Sequence, residues 1–141
     1  MTTKRIILAV AATALFAGAV TLAVPSIAHH AFASEFDSSR PIVLSGTITR
    51  ARFVNPHSWV YLDVRDNAGN ITNWGFEFGT PSSLRSNGLT RETIQAGTRV
   101  RIAGFRAKNG GPFGYSTTLV LTDGRSFSTG SAPDAPAPRI N

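Results

Sequence analysis

The chain has no cysteine, and its one methionine is the initiator, Met1. Those absences remove thiol nucleophiles, zinc–thiolate sites, iron–sulfur ligation and methionine-held Cu(I). No disulfide can form, although an exported chain would meet a compartment that permits one. Histidine is scarce at three residues, and eight Asp and Glu face fourteen Lys and Arg. Any metal site must therefore be built from imidazole, carboxylate and a free amino terminus. No glycine-rich loop follows a strand and opens a helix, which excludes a phosphate-cradling nucleotide loop. The segment "KNGGPFG" has no Lys-Ser end and reads as a flexible hairpin. His57 and Ser58 are neighbours, but adjacent strand residues point to opposite faces and cannot form a nucleophile–base pair. No catalytic constellation is present, and the expectation is a binding protein rather than an enzyme.

What is present begins with Lys4 and Arg5, a nearly unbroken apolar run from Ile6 to Val24, and Pro25. Ser26 and Ala28 place small residues at −3 and −1 before His29. This order reads as a secretory signal over residues 1–28, and hence as a periplasmic or secreted protein. A run of 19 residues also competes as an uncleaved membrane anchor, but its Ala, Gly and Thr content favours cleavage. Ala31 and Ala33 offer a second cleavage position that would discard both N-terminal histidines. Ala28 lies nearer the end of the apolar run and is preferred, which makes His29 the mature N-terminus. The mature chain then has twelve cations, eleven of them arginine, against eight acids, a net charge of +4. Such a field suits an anionic ligand or a membrane surface without choosing between them. Export argues against nucleic acid as a partner.

The 141 residues suit one domain plus the signal. Residues 29–41 read as an N-terminal arm ended by Pro41, residues 42–128 as a β domain, and the Pro/Ala-rich residues 129–141 as a disordered tail. "PIVLSGTITRARFV" is β-prone, and Gly46 within it predicts a bulge or bend. "SWVYLDVRD" alternates, with Val60, Leu62 and Val64 opposite Trp59, Tyr61 and Asp63. "DNAGN" predicts a hairpin turn into "ITNWGFEF", whose Trp74, Phe76 and Phe78 share a face. Thr80 can cap a short helix with Pro81 at its first position and Asn87-Gly88 at its end, and Thr90 a second turn closing at Gly97. "TRVRIAGFRA" and "YSTTLVLTDGRSF" supply the fourth and fifth strands. Three strands, a helical connector between strands 3 and 4, and two further strands predict an all-β, five-stranded Greek-key barrel like the OB-fold. A β-sandwich is the alternative, although it would usually need about seven strands.

His29-His30-Ala31-Phe32, Glu35-Phe36-Asp37 and "SGTITRARFVNPHSWVYLDV" carry a resemblance that continues through "NWGFEF", "SSLRSNGLTRETIQAGTRVRIAGFRAKNG" and "LTDGRSF". On these motifs the chain resembles an uncharacterised family of exported bacterial proteins known only as a domain of unknown function (family 6152). It departs from that family at Gly88-Leu89, where an aromatic tends to follow the glycine. The resemblance implies a secreted small β domain and no established activity, so function has to come from the residues.

The sharpest candidates are His29, His30 and His57. An N-terminal His29 can chelate one ion through its amine and its ring Nδ1, because an α-amine with a pKa near ~7.7 releases its proton readily to a metal. A third nitrogen from His30 or His57 completes a T-shaped or square site, which suits Cu(II) first and Ni(II) next. The amine, the His30 amide and the His30 ring form a competing geometry. The plainer reading makes the pair exposed residues of a frayed terminus. In "NPHSW", Asn55-Pro56 marks a turn, and His57 sits at the mouth of a strand. The plainer reading there has Asn55 capping the turn, His57 bonding a carbonyl and Trp59 packing. Glu35 and Asp37 are close enough in sequence to serve as secondary ligands or to orient an imidazole. Such residues more often cap turns or pair with arginine, and Asp63 and Glu77 read as ordinary strand residues, Glu77 solvated or salt-bridged. Arg50, Arg52, Arg65, Arg99, Arg101 and Arg106 can line one face with Trp59 and Tyr61, forming a ligand-binding platform for an anionic molecule or an ordinary solvated surface.

Together these residues predict a small exported metal-binding protein, with copper as the possible cofactor. The alternative is an accessory module that binds another exported protein or an anionic ligand through Trp59, Tyr61, Arg50 and Arg52. A redox role for bound copper would further need an open coordination position.

Overall fold

The computed structural model describes residues 32–136. The expected signal segment, His29 and His30 lie outside the described residues. In chain order the elements are a helical turn α1 (Phe32–Glu35), β1 (Phe36–Arg52), β2 (Ser58–Arg65), β3 (Ile71–Phe78), α2 (Pro81–Ser86), β4 (Arg99–Ala107), β5 (Phe113–Leu121) and β6 (Ser126–Ser128). The all-β expectation is met by a six-stranded, mostly antiparallel sheet in the order β3-β2-β1-β4-β5-β6. Gly75–Glu77 of β3 also pair in parallel with Phe113–Tyr115 of β5, so the pairings run β1-β2-β3-β5-β4 and back to β1.

Local chemistry explains most of the connections. Asp66 Oδ1 accepts from the amides of Ala68 and Asn70, and Gly69 supplies a φ of 92°, which together turn the chain from β2 into β3. Thr80 accepts from the Ser83 amide and Pro81 opens α2, whose exit passes through Gly88 at φ 82°. Leu89, where an aromatic was expected from the resemblance, is fully buried and fills that core position itself.

The main core joins alternate residues of the strands to the connector. Ile48, Val60, Leu62, Phe76, Phe78, Ile102 and Leu119 meet Leu84, Leu89 and Ile94 there, all at most 1% exposed. Burying each such side chain contributes about 1.5–3 kcal/mol relative to exposure.

Three expectations need correction. There are six strands rather than five: Asp123 accepts from the Arg125 amide and side chain, and the hairpin it makes returns β6 along β5. Three residues are too short to leave a periodic signal. The bulge in β1 falls at Thr49, between the pairs Ile48–Leu62 and Arg50–Tyr61, and not at Gly46. Gly46 instead lets β1 run close over the Asp63 carbonyl, where a Cβ would collide. Strand pairing also starts earlier than Pro41, because Phe36 already pairs with Ala107 and residues 37–40 loop out before Pro41 meets Phe105.

Gly104 is the tightest approach in the sheet. A Cβ on it would land on the Tyr115 carbonyl, beside the irregularity that leaves Thr117 as the extra residue of β5. Gly104→Ala is expected to lower unfolding stability by about 2–3 kcal/mol in urea denaturation, because backbone has to move to admit the methyl. Unchanged stability would show that β4 and β5 do not approach so closely.

Candidate functional site

Side chains directly across paired strands share a face. The pairs Arg52–Trp59, Trp59–Glu77 and Glu77–Tyr115 therefore form one row on the face opposite the main core, and Arg50–Tyr61, Tyr61–Gly75 and Gly75–Phe113 form the next. Gly75 has no side chain to fill its place in the row, and the Phe113 ring lies 2.9 Å from where a Cβ would stand. Trp59 stacks on Tyr61 at 6.3 Å between ring centroids and meets Phe113 edge-on at 6.4 Å. The Arg50 guanidinium stands 4.4 Å over the Tyr61 ring.

The row ending in Tyr115 is covered by the segment expected to be an N-terminal arm. Phe32 and Phe36 are spaced i, i+4 across α1 and point the same way. Phe32 packs against Phe36, Phe105 and Tyr115 at centroid distances of 5.7, 5.4 and 5.2 Å, making a second, smaller core. The segment is held by polar contacts as well: the Lys108 amide donates to the Glu35 carbonyl at 2.9 Å, and Lys108 Nζ to the Ala33 carbonyl at 2.6 Å. Of the expected arm, the described part from Phe32 is thus docked onto the sheet.

The expected disordered tail is also docked as far as Pro136. Thr129 is fully buried and shares a 2.7 Å hydrogen bond with Ser116. The amides of Ser131 and Ala132 donate to Tyr115 Oη at 2.8 and 2.7 Å. Asp134 then accepts from the amides of Phe32 and Ala33 at 3.2 and 3.3 Å. Against the opposing effect of desolvation, those two amide bonds hold the Asp134 carboxyl below its ordinary range. Composition hid this docking, because small residues that fit closely around one tyrosine carry no hydrophobic periodicity.

Between these layers lies Glu77, 7% exposed, with its Oε1 2.8 Å from His57 Nδ1. Of the two readings left open for Glu77, the salt bridge holds and the solvated one does not. Burial, aided by the negative charge of Glu35, pushes the Glu77 carboxyl up to about 7. A shallow groove of about 390 Å³ opens beside Trp59, the cross-strand neighbour of Glu77, walled by Trp59 and Phe113 and edged by Glu35, Lys108 and Asn109.

The structure therefore joins His57, Glu77, Glu35, Trp59 and Tyr61 on neighbouring parts of one face. Arg52 is exposed at the head of the Trp59 row, and Asn55 is exposed in the turn before His57, beside a cis peptide bond to Pro56. Asp37 instead closes a local turn, accepting from the Ser39 hydroxyl at 2.6 Å and the Ser39 amide at 2.9 Å, which lower its pKa. Asp63 accepts from Asn73 at 2.7 Å. Arg106 leaves the proposed platform and lies 4.9 Å over Trp74. Among the described residues no three His, Asp or Glu stand close enough to hold a metal ion by themselves. Sequence reasoning missed Phe32, Lys108, Tyr115 and Asp134. The i, i+4 aromatic spacing in "FASEF" was the one available signal for the first of them.

The Glu77 shift has a sign that can be measured. Its folded-state pKa of about 7 lies above an ordinary value of 4.5. Between those values the folded protein keeps a proton that the unfolded chain releases. Stability from this group is then complete below pH 4.5 and is lost as pH rises towards about 7. Glu77→Gln, which is permanently neutral, is expected to flatten that fall in urea titrations of chelator-treated protein. An unchanged slope would assign the proton to another group.

No curated protein and no solved structure matches the chain. Among the described residues no helix is long and apolar enough to cross a membrane. A family match covers residues 17–116, ending at Ser116 and short of the "LTDGRSF" segment that the resemblance was expected to include. By that match the chain belongs to the family of unknown function DUF6152.

Proposed function

We propose that the protein is a small exported metal-binding domain in which His57 completes a site begun by the mature N-terminus, with Cu(II) as the preferred ion. The observation that carries this reading is the docking of Phe32 against Tyr115, which is the neighbour of Glu77 across the β3–β5 pairing. His30 and His29 precede that anchor by only two and three residues in the sequence. His57 is oriented by a buried carboxylate at Nδ1. A carboxylate in that position fixes the tautomer that carries its lone pair on Nε2 and raises the basicity of that nitrogen. His29 would contribute its amine and ring, and His57 or His30 the third nitrogen, in keeping with a nitrogen-rich Cu(II) site. Glu35, at the end of α1, supplies negative charge near the pair.

Export rests on the residue 1–28 signal and cleavage after Ala28. The ring of strand pairings, with its helical connector between β3 and β4, supports an OB-like barrel as the architecture, extended by β6. Binding rather than catalysis is the role proposed. A second reading, in which an anionic ligand or exported protein docks on Arg50, Arg52, Trp59 and Tyr61, is favoured by one observation: Arg50 already stacks on Tyr61 beside Trp59.

Calorimetry on protein beginning at His29 is expected to give Cu(II) binding far tighter than a random peptide shows. One glycine added before His29 should weaken it sharply by displacing the amine from the chelate, and His57→Ala should weaken it by about tenfold or more without unfolding the domain. Affinity no better than a peptide's, or unchanged by both variants, would remove the site.

A further inference from the structure

A separate concavity lies elsewhere, where β1 passes Gly46. It holds about 720 Å³ and is lined by Arg65, Arg99 and Arg101, by the hydroxyl residues Ser45 and Thr47, and by Ile71, which is 54% exposed. None of its lining residues belongs to the groove walled by Trp59 and Phe113.

The charge arrangement there is more than solubility alone requires. Arg99 and Arg101 are two apart on one strand and so share a face. Their partners across the sheet are Thr47, Ser45 and Val120, none of them acidic. Among the described residues none of the three arginines forms an ion pair, and Arg65 donates to the Gly69 carbonyl at 2.7 Å. The one acid lining the groove, Asp63, is occupied by Asn73. Three cations against one acid leave a local charge of +2, which repels itself until an anion arrives.

We propose that this groove binds a soluble phosphomonoester with a short apolar substituent. A phosphate dianion matches the +2 charge, whereas a single carboxylate would leave half of it uncompensated. Guanidinium forks bind phosphate oxygens through paired N–H donors. The hydroxyls of Ser45 and Thr47 can donate to the same head group, and the exposed face of Ile71 covers the apolar part. This site is independent of the proposed metal.

The test uses mature, chelator-treated protein and the R99Q/R101Q variant, whose two changes are both at exposed positions. Calorimetry is expected to show saturable binding of hexyl phosphate, weaker binding of inorganic phosphate and none of hexanol. The double variant should bind hexyl phosphate at least about tenfold more weakly with an unchanged circular dichroism spectrum. His57→Ala should bind hexyl phosphate as the parent does, whatever it does to copper. No saturable binding, equal affinity in R99Q/R101Q, or equal affinity for inorganic phosphate would each overturn the proposal. So would sedimentation with phosphatidylglycerol vesicles by protein that ignores hexyl phosphate, since the arginines would then serve a membrane surface.

Discussion

Three residues of parallel pairing, Gly75–Glu77 against Phe113–Tyr115, hold the arrangement together. Without them the strands would form an open sheet with β3 at one edge, and Glu77 would face water. The pairing is possible because glycine stands at both crowded points. Gly75 lies under the Phe113 ring, and a Cβ on Gly114 would stand 2.8 Å from both the Phe105 carbonyl and the Phe76 ring. The parallel register also sets Tyr115 beside Glu77, and that decides what covers the carboxylate. Tyr115 offers a flat apolar ring to Phe32 and Phe36 and a polar oxygen to the tail, so both ends of the described chain gather on it.

Local signals in the sequence were strongest where a backbone requirement falls on one residue type. The Asp66–Asn70 turn, the Thr80–Pro81 helix start and the Gly88 exit are each fixed by a short side chain or a glycine within a few residues. The alternation in "SWVYLDVR" correctly sorted Val60 and Leu62 from Trp59 and Tyr61. Glu77 was different. Its neighbours Phe76 and Phe78 correctly placed it on the opposite face, but alternation cannot say whether a second layer covers that face. That layer comes from Phe32 and Tyr115, 45 and 38 positions away in the chain, and the pattern within one strand is blind to it. The same limit applies to the tail, where the hydroxyl of Thr129 and the amides of Ser131 and Ala132 find partners in β5.

The two candidate sites rest on opposite electrostatic conditions. Around Glu77 the protein removes a carboxylate from water and sets one imidazole beside it, so a small change in protonation alters the charge of the whole cluster. Around Gly46 the charges are solvated and permanent, because guanidinium does not lose its proton in the range where proteins are folded. A ligand at the first site competes with protons for the protein's own groups, whereas one at the second competes with dissolved salt, and its pH dependence comes from the second ionisation of the phosphomonoester itself near ~6.

The hydrogen bonds from Phe32 and Ala33 to Asp134 place the two ends of the described chain side by side. Ends that already touch can be joined by a short linker, and the exposed Asp66–Asn70 turn offers a place to open new ones. Circular permutation is thus geometrically simple for this sheet, and it would move the α-amine away from the proposed metal site. For the same reason, a domain fused behind residue 136 would emerge next to Phe32 and Ala33, and crowding at one end of the described chain would be felt at the other.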